Sequence, residues 1–543
     1  MRRMLCAFIC TPFWVLRHRL HFGAIIASSL LAAEIRPKKS DQLQWGEAWN
    51  RNMVARSAKP LPDSFDLETG RNIKWIAQLG TETHSTPIVS GGRIYIGTNN
   101  GEPRDPKHQG DRGVLMCFDE ETGRFLWQWV VPKREEDPYH DWPKSGISSP
   151  VTVEGDRVYV VNNRGEVACL DAHGMANGNG GPFLDEGRHM TLRGTNAPLQ
   201  KLEPGPLDAD VLWLFDLTRE AGIWSHDAAH SSILIRGDHL YLNSGTGVDN
   251  THKKIRTPDA PSLVVLDKKT GKYLARDQEK IAPNIFHCTW SAPSMGQVNG
   301  RDLVFFAGGN GVVYGFEPLA STASAAGNSD AFAGTSGPAT LQKVWQFDFD
   351  PTAPKENVHR FNSNRRESPS NIYGMPVFFR ERIFAAGGGD LFWGKNEAWL
   401  KCIDATLSGD VTVKGLIWSY PLEKHVLSTP AIHNGLVFIA DCGRQMHCVD
   451  AETGRRIWTH EIQGEVWASP LVCDGKVYLG TRSGEFWVLA ASREKQVLSK
   501  TKFPAPISAT VTVANDVVYI ATMTQLYALE TGALTPRPAA GTL

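Results

Sequence analysis

The sequence contains no C-x-x-C-H, no paired C-x-x-C and no H-E-x-x-H. Haem attachment of the c type, cysteine-built zinc sites and helical zinc-protease sites are therefore not expected, and no metal ligands are assigned. A G-x-S-x-G elbow and a G-x-x-x-x-G-K-[ST] phosphate loop are also missing, so neither a serine nucleophile nor a nucleotide phosphate site is indicated. No sign of charge dominates: 57 Lys and Arg stand against 58 Asp and Glu, for a net −1, without a basic run. A nucleic-acid footprint needs clustered basic residues on one face, so that partner is not expected. No apolar run approaches the roughly 18 residues of a membrane span, so the mature chain is expected to have none.

The two apolar runs near the start, 5–16 and 22–33, are separated by Arg17, His18, Arg19 and His21. The second run ends in small residues and has the n-region, h-region and cleavage pattern of a signal peptide, assigned to 1–33. Translation starting near Val15 would leave a signal of ordinary shape. Neither Cys6 nor Cys10 ends a small-residue run of the lipidation type. The expected location is periplasmic or otherwise exported.

Turn formers and tryptophan are abundant: 51 Gly, 32 Pro and 17 Trp. The chain repeats itself. STPIVSGGRIYIGTNN, STPAIHNGLVFIADCG and SPLVCDGKVYLGTRSG each give a Ser/Thr-Pro start, an alternating strand, a tight turn and a second strand. A third strand then ends in D-x-x-T-G, at Asp66, Asp119, Asp267 and Asp450. There the Asp accepts turn amides and the Gly supplies positive φ. A Trp-bearing strand follows, with Trp75, Trp127, Trp213, Trp345, Trp418 and Trp458. Burying such a ring contributes on the order of 4–6 kcal/mol gross, so these Trp read as structural.

First-strand starts fall at Pro87, Pro150, Ile233, Pro293, Pro376, Pro430, Pro470 and Val511, which makes eight blades. The expected fold is all-β, an eight-bladed β-propeller of four-stranded antiparallel blades over 65–535. A lead-in (34–64) and a tail (536–543) flank it. Insertions at 173–210 and 318–340 separate third from fourth strands in blades 2 and 4, and the second is too poor in apolar residues to fold. The last blade lacks an outer Trp strand, while 72–79 lacks inner strands, so 72–79 is expected to close the ring.

CFDEETGRFLW and CVDAETGRRIW resemble the tryptophan-docking motif of the PQQ-like repeat propellers. With weaker copies the resemblance covers about residues 65–535. That superfamily includes pyrroloquinoline-quinone dehydrogenases and the propeller lipoprotein of the outer-membrane β-barrel assembly machinery. The resemblance implies PQQ with calcium as a conceivable cofactor. It also implies two adjacent cysteines against the quinone and a Glu/Asn/Asp set for Ca²⁺ and base catalysis. The chain has no adjacent cysteines, and isolated acids such as Glu367 or Asp390 form no matching motif. No catalytic residue is assigned.

Nine cysteines in an exported chain would suggest disulfides, but Cys117, Cys169, Cys402 and Cys448 share one repeat slot on different blades. That places them beyond the Cα spacing of about 4.4–6.8 Å that a disulfide needs. Only Cys442 with Cys448, across a hairpin, is left as a pair to consider.

The slot three residues before each first strand lines the channel mouth. It holds His84, Ile147, His230, Trp290, Tyr373, Leu427, Trp467 and Ile507. The candidate ligand-binding residues are His84, His230, Trp290, Tyr373 and Trp467, with His226, Asp227, His287 and His425 in neighbouring loops. Aromatic walls with a few polar groups suit a small molecule, although such residues equally plug an axis. The functional expectation is a monomeric, non-enzymatic exported propeller that acts as a binding or assembly scaffold for envelope proteins or a small molecule. The alternative is a PQQ- or metal-dependent oxidoreductase with a degenerate site.

Overall fold

The computed structural model describes residues 38, 40–137, 140–191, 201–227, 231–320 and 337–535. The signal-peptide segment, most of the 318–340 insertion, the tail and His230 lie outside them.

The chain folds into eight sheets that follow one another along the sequence, an eight-bladed β-propeller. Seven blades are antiparallel meanders; blade 1, for example, runs Ile88–Ser90, Arg93–Asn99, Arg112–Asp119, Phe125–Pro132. The eighth takes its three inner strands from the C-terminal end and its outer strand, Arg71–Gln78, from the N-terminal end, paired antiparallel to Gln525–Leu534. The closing strand begins one residue before the expected 72.

Blades are fastened by an indole dock. The outer-strand Trp of one blade donates its Nε1–H to a turn carbonyl of the next. The pairs are Trp75 to Glu120, Trp127 to Ala172, Trp213 to Lys268, Trp418 to Ala451 and Trp458 to Ser492, all at 3.0–3.1 Å. In the D-x-x-T-G turn, Asp450 Oδ1 accepts from the amides of Glu452 and Thr453 and from the Thr453 hydroxyl. Gly454 has φ +69°, and a Cβ there would stand 2.7 Å from the Trp418 ring. Glycine is thus required twice, for the turn and for the approach of the indole.

The Ser/Thr-Pro starts form a belt of buried hydroxyls around the axis. Ser85 Oγ donates to Ser149 O, Ser149 Oγ to Ser231 O, Ser291 Oγ to Gly374 O and Ser428 Oγ to Ala468 O. Each bond joins one blade to the next.

The lead-in closes the channel at the end opposite the mouth. Its carbonyls accept from first-strand amides: Gln42 from Val89, Leu43 from Val153, Trp49 from Met295, Asn50 from Phe378 and Met53 from Val472. Asn52 exchanges two bonds with Ile432. Ser40 O accepts from Asn515, while Arg51 reaches inward to Pro293 O and to Ser232. All eight blades are engaged. Arg51 is fully buried without an acidic partner, and burial lowers its pKa to about 9. The axis is therefore a cup whose accessible end carries the strand-start slots.

Cys117, Cys169, Cys402 and Cys448 are buried in four separate clusters, and Cys442 and Cys448 are both free thiols. Exchanging any of these four for Ala or Val is expected to cost under about 1.5 kcal/mol, since sister blades carry those residues in the same slot. Chemical denaturation measures this, and a larger loss would show a bonded role. Deleting residues 60–80 removes the outer strand of blade 8 and the Trp75 dock onto blade 1. The deletion variant is expected to yield no cooperatively melting protein; a cooperative transition near the wild-type temperature would show that the ring does not need this strand.

Candidate functional site

Three histidines from different segments meet above the mouth. His226 lies between blades 2 and 3, His252 in the long loop after His239–Asn243 of blade 3, and His287 between blades 3 and 4. One ligand atom from each lies within 4.8 Å of the others. Ring centroids are 4.9, 5.0 and 5.2 Å apart, edge-on or tilted.

Short β-bridges bring them together. Residues 246–248 of the blade 3 loop run between the two flanking segments, with Ser225 bridging Thr246 and Gly247 bridging Cys288. His226 N donates to Gly245 O, and Val248 N to His287 O. A Cβ on Gly247 would stand 2.7 Å from both His226 Cβ and His287 O. Any larger residue would push two of the histidines apart.

His226 and His287 are almost completely buried, His252 partly so. His226 Nε2, His252 Nδ1 and His287 Nε2 have no hydrogen-bond partner among the described residues. Buried imidazole nitrogens without partners cost about 1–3 kcal/mol each. Others, such as His189 Nδ1 and His460 Nε2, stand alone, so it is the convergence of three that distinguishes this cluster. Asp227 Oδ2 lies 3.2 Å from His226 Nε2, in ion-pair range but not aligned as a hydrogen bond, and 3.8 Å from His287 Nε2. Burial pushes the Asp227 carboxyl up, but the histidines outweigh it and hold it below the ordinary carboxylate range. Asp227 and His252 both sit at positive φ, 51° and 55°. Left-handed backbone at non-glycine residues is uncommon and concentrates where surrounding structure enforces it.

His287 is oriented from behind. Its Nδ1 lies 3.0 Å from Asp390 Oδ2, and the Tyr373 hydroxyl donates to the same oxygen. Burial raises the Asp390 pKa, but His287, Tyr373 and the Trp393 amide together hold it below the usual range. An ionised Asp390 accepts only, so Nδ1 carries the hydrogen and Nε2 presents its lone pair. Imidazole donors suit zinc, copper, iron and nickel, and the three histidines could hold such an ion with Asp227 as a fourth, oxygen donor.

The expected mouth residues surround this cluster. Tyr373 packs on Trp290 at 4.6 Å, Trp290 on His287 at 5.6 Å, and His287 on Phe392 at 5.7 Å. Phe392 then meets Trp467 at 6.5 Å, which stacks with His84 at 5.9 Å. Four of the five candidates thus form one band of rings. His425 is buried but shares no ring contact with the cluster among the described residues, and burial lowers its pKa. His252, Phe392 and Trp393 were not singled out by the sequence. The available signal was the length of the loops that carry them.

Comparison with known proteins follows the same lines. The family described as outer membrane protein assembly factor BamB matches residues 111–176 and 382–497. The quinohemoprotein alcohol dehydrogenase ADH IIB of Pseudomonas putida is 24% identical over 449 residues, 78% of this chain and 57% of that protein. The quinohemoprotein alcohol dehydrogenase of Comamonas testosteroni is 30% identical over 114 residues, 19% of this chain and 16% of that protein. The chain therefore spans well under two thirds of these relatives. Among solved structures, quinohemoprotein alcohol dehydrogenase ADHIIG from Pseudomonas putida HK5 superposes with TM-score 0.54 at 11% identity, covering 93% of this chain and 82% of that one. The chain thus resembles the BamB-type family over about a third of its length and shares the β-propeller fold of the quinohemoprotein dehydrogenase structure. No helix of the described residues is long and apolar enough to cross a membrane.

The quinone–calcium pair implied by that resemblance does not fit the described residues of the mouth. Calcium takes six to eight oxygen ligands, whereas the convergent donors here are three imidazole nitrogens and one carboxylate.

Burial and the neighbouring histidines lower the His252 pKa from 6.5 to about 4. In the metal-free protein His252 is thus neutral when folded, while the unfolded chain takes up a proton below 6.5. Its stabilising contribution is complete above pH 6.5 and is lost as pH falls from 6.5 through 4. The melting temperature of metal-free wild type is expected to fall across this window more steeply than that of His252→Gln. Superimposable melting-temperature profiles would contradict it.

Proposed function

We propose that the chain is an exported propeller with a mononuclear transition-metal centre at the mouth of its axis, acting there as a metal-dependent oxidoreductase on a small molecule. The observation that carries this reading is the convergence of three imidazole groups, one ligand atom of each within 4.8 Å of the others, beside the Asp227 carboxylate. The similarity to alcohol dehydrogenases supports oxidoreductase chemistry, and the similarity to an outer membrane assembly factor supports an envelope location. The scaffold expectation rested on the absence of recognisable catalytic and cofactor motifs; the histidine cluster favours the alternative, oxidoreductase reading.

In this reading His226, His252 and His287 hold the ion, and Asp227 completes the set or accepts a proton from a ligand on it. A bound redox metal would supply electron transfer and polarise a substrate oxygen. The closed far end of the channel confines exchange to the mouth, and Trp290, Phe392 and Trp467 present apolar surface to an organic substrate.

The test is metal uptake. Purified protein is incubated separately with Zn²⁺, Cu²⁺, Co²⁺ and Fe²⁺, gel-filtered and analysed for metal, beside a His226→Ala, His287→Ala double variant. A single ion per wild-type chain and none in the folded variant is expected, followed by dye-linked oxidation of small alcohols or phenols by the Cu²⁺ or Fe²⁺ form. Equal uptake by both proteins would overturn the site; uptake without any redox turnover would overturn the oxidoreductase assignment.

A further inference from the structure

Asp390 stands at position 0% exposed, yet it belongs to none of the segments that carry the metal-ligand candidates. It lies in the loop between Arg382–Gly389 and Ala398–Asp404 of blade 5, two blades on from blade 3. We propose that Asp390 is the positioning residue of the metal centre, with a different task for each carboxylate oxygen. Oδ2 fixes the tautomer and direction of His287, and Oδ1 folds the aromatic wall that packs on His252. The inference rests on the metal-centre reading above.

Oδ2 accepts from His287 Nδ1 at 3.0 Å and from the Tyr373 hydroxyl, with Asn371 Nδ2 at 3.5 Å. Tyr373 is buried, and burial together with Asp390 raises its pKa well above the ordinary value, so it stays a donor. Oδ1 accepts from the amides of Phe392 and Trp393 at 2.9 and 2.6 Å. Gly394 N closes the turn on Asp390 O. That turn sets Trp393 5.0 Å from the His252 ring and Phe392 5.7 Å from the His287 ring. From outside, Arg365 donates to the carbonyls of Leu391, Phe392 and Gly394. One side chain therefore determines both which nitrogen of His287 faces the ion and where the rings beside the ion stand.

The donor count shows why a carboxylate is needed. Tyr373, His287, Phe392 and Trp393 all donate to Asp390, with Asn371 at 3.5 Å as a fifth and longer contact, and a carboxylate offers about four lone-pair sites on two oxygens. Asparagine has the same shape but one oxygen. If that oxygen serves the turn, the amide NH₂ faces His287, Nδ1 becomes an acceptor, and the proton moves to Nε2, where it blocks the metal lone pair. If the oxygen serves His287, the Phe392 and Trp393 amides lose their acceptor and the wall moves. Either arrangement weakens metal binding without emptying the core.

The experiment compares wild type, Asp390→Asn and Tyr373→Phe loaded with Cu²⁺ and with Co²⁺. Affinity is measured by chelator competition, the ligand field by electron paramagnetic resonance and visible absorption, and folding by thermal melting. Asp390→Asn is expected to melt cooperatively, to bind about 10–100-fold more weakly and to show an altered Cu²⁺ or Co²⁺ spectrum. Wild-type affinity and spectra in Asp390→Asn overturn this inference while leaving the metal centre standing. A wild-type protein that takes up no metal overturns the centre itself, and the inference with it. Should Asp390→Asn not fold, Tyr373→Phe decides: it removes one donor to Oδ2, so unchanged spectra and affinity there overturn the inference.

Discussion

The propeller depends on one repeated contact, the indole N–H of an outer strand docked on the turn of the next blade. Each dock combines ring burial of several kcal/mol gross with a hydrogen bond of about 1 kcal/mol, and both are lost if the turn moves. Where the receiving turn is D-x-x-T-G, as for Trp75, Trp213 and Trp418, its glycine is required because a side chain there would occupy the place of the ring; Trp127 and Trp458 dock on other turns. The undocked seam is instructive. Trp345 of blade 4 faces a blade 5 turn that reads D-A-T-L-S-G, and its Nε1 has no partner among the described residues. At that seam blade 5 instead sends Gly409–Asp410 across to pair in parallel with Trp345 and Gln346. Ala339–Thr340 of blade 4 does the same for blade 3, whose outer strand Tyr273–Arg276 lacks a Trp. At these two seams backbone from the following blade covers the edge; blade 7, whose outer strand Val497–Lys502 also lacks a Trp, has no such added strand among the described residues.

These seams make the ring rigid, and the lead-in makes it a cup. A segment that bonds to all eight first strands gives the channel a floor. The hydroxyl belt above it satisfies backbone carbonyls that would otherwise face the axis. Side chains at the mouth are then held by strand ends that cannot shift independently, which is what a ligand set with a fixed bite requires.

Sequence alone showed the ring, because repeats state their own period and the closing strand is visible as two incomplete halves. The same logic reached the rings of the mouth through the slot before each first strand. It also named His226, Asp227 and His287 as neighbours, without grounds to join them. His252 went unnoticed because it lies in a loop with no repeat equivalent, and its partners stand 26 positions before and 35 after it. Asp390 was set aside as an isolated acid because its partners, His287 and Tyr373, come from other segments. The role of the lead-in was equally hidden, since it bonds mainly through carbonyls, which every residue has. Repeat positions are legible because they are redundant; site positions are each used once.

The site works against the stability of the chain that carries it. Three imidazole nitrogens are withdrawn from water without partners, and Asp227 and His252 adopt backbone that most residues avoid. At about 1–3 kcal/mol for each unmet polar group and a comparable cost for each strained residue, such a cluster would erode a marginal domain. Here it is confined to the mouth, while the cost is offset by docks and belts repeated around the ring. A histidine that only plugs the structure can satisfy its own hydrogen bonds, as His447 does between blades 5 and 6, where Tyr420 and Asp441 engage both ring nitrogens. His287 is bonded on one side to Asp390 and turned on the other toward Asp227 and His226, which is what the proposed ligand site asks of it.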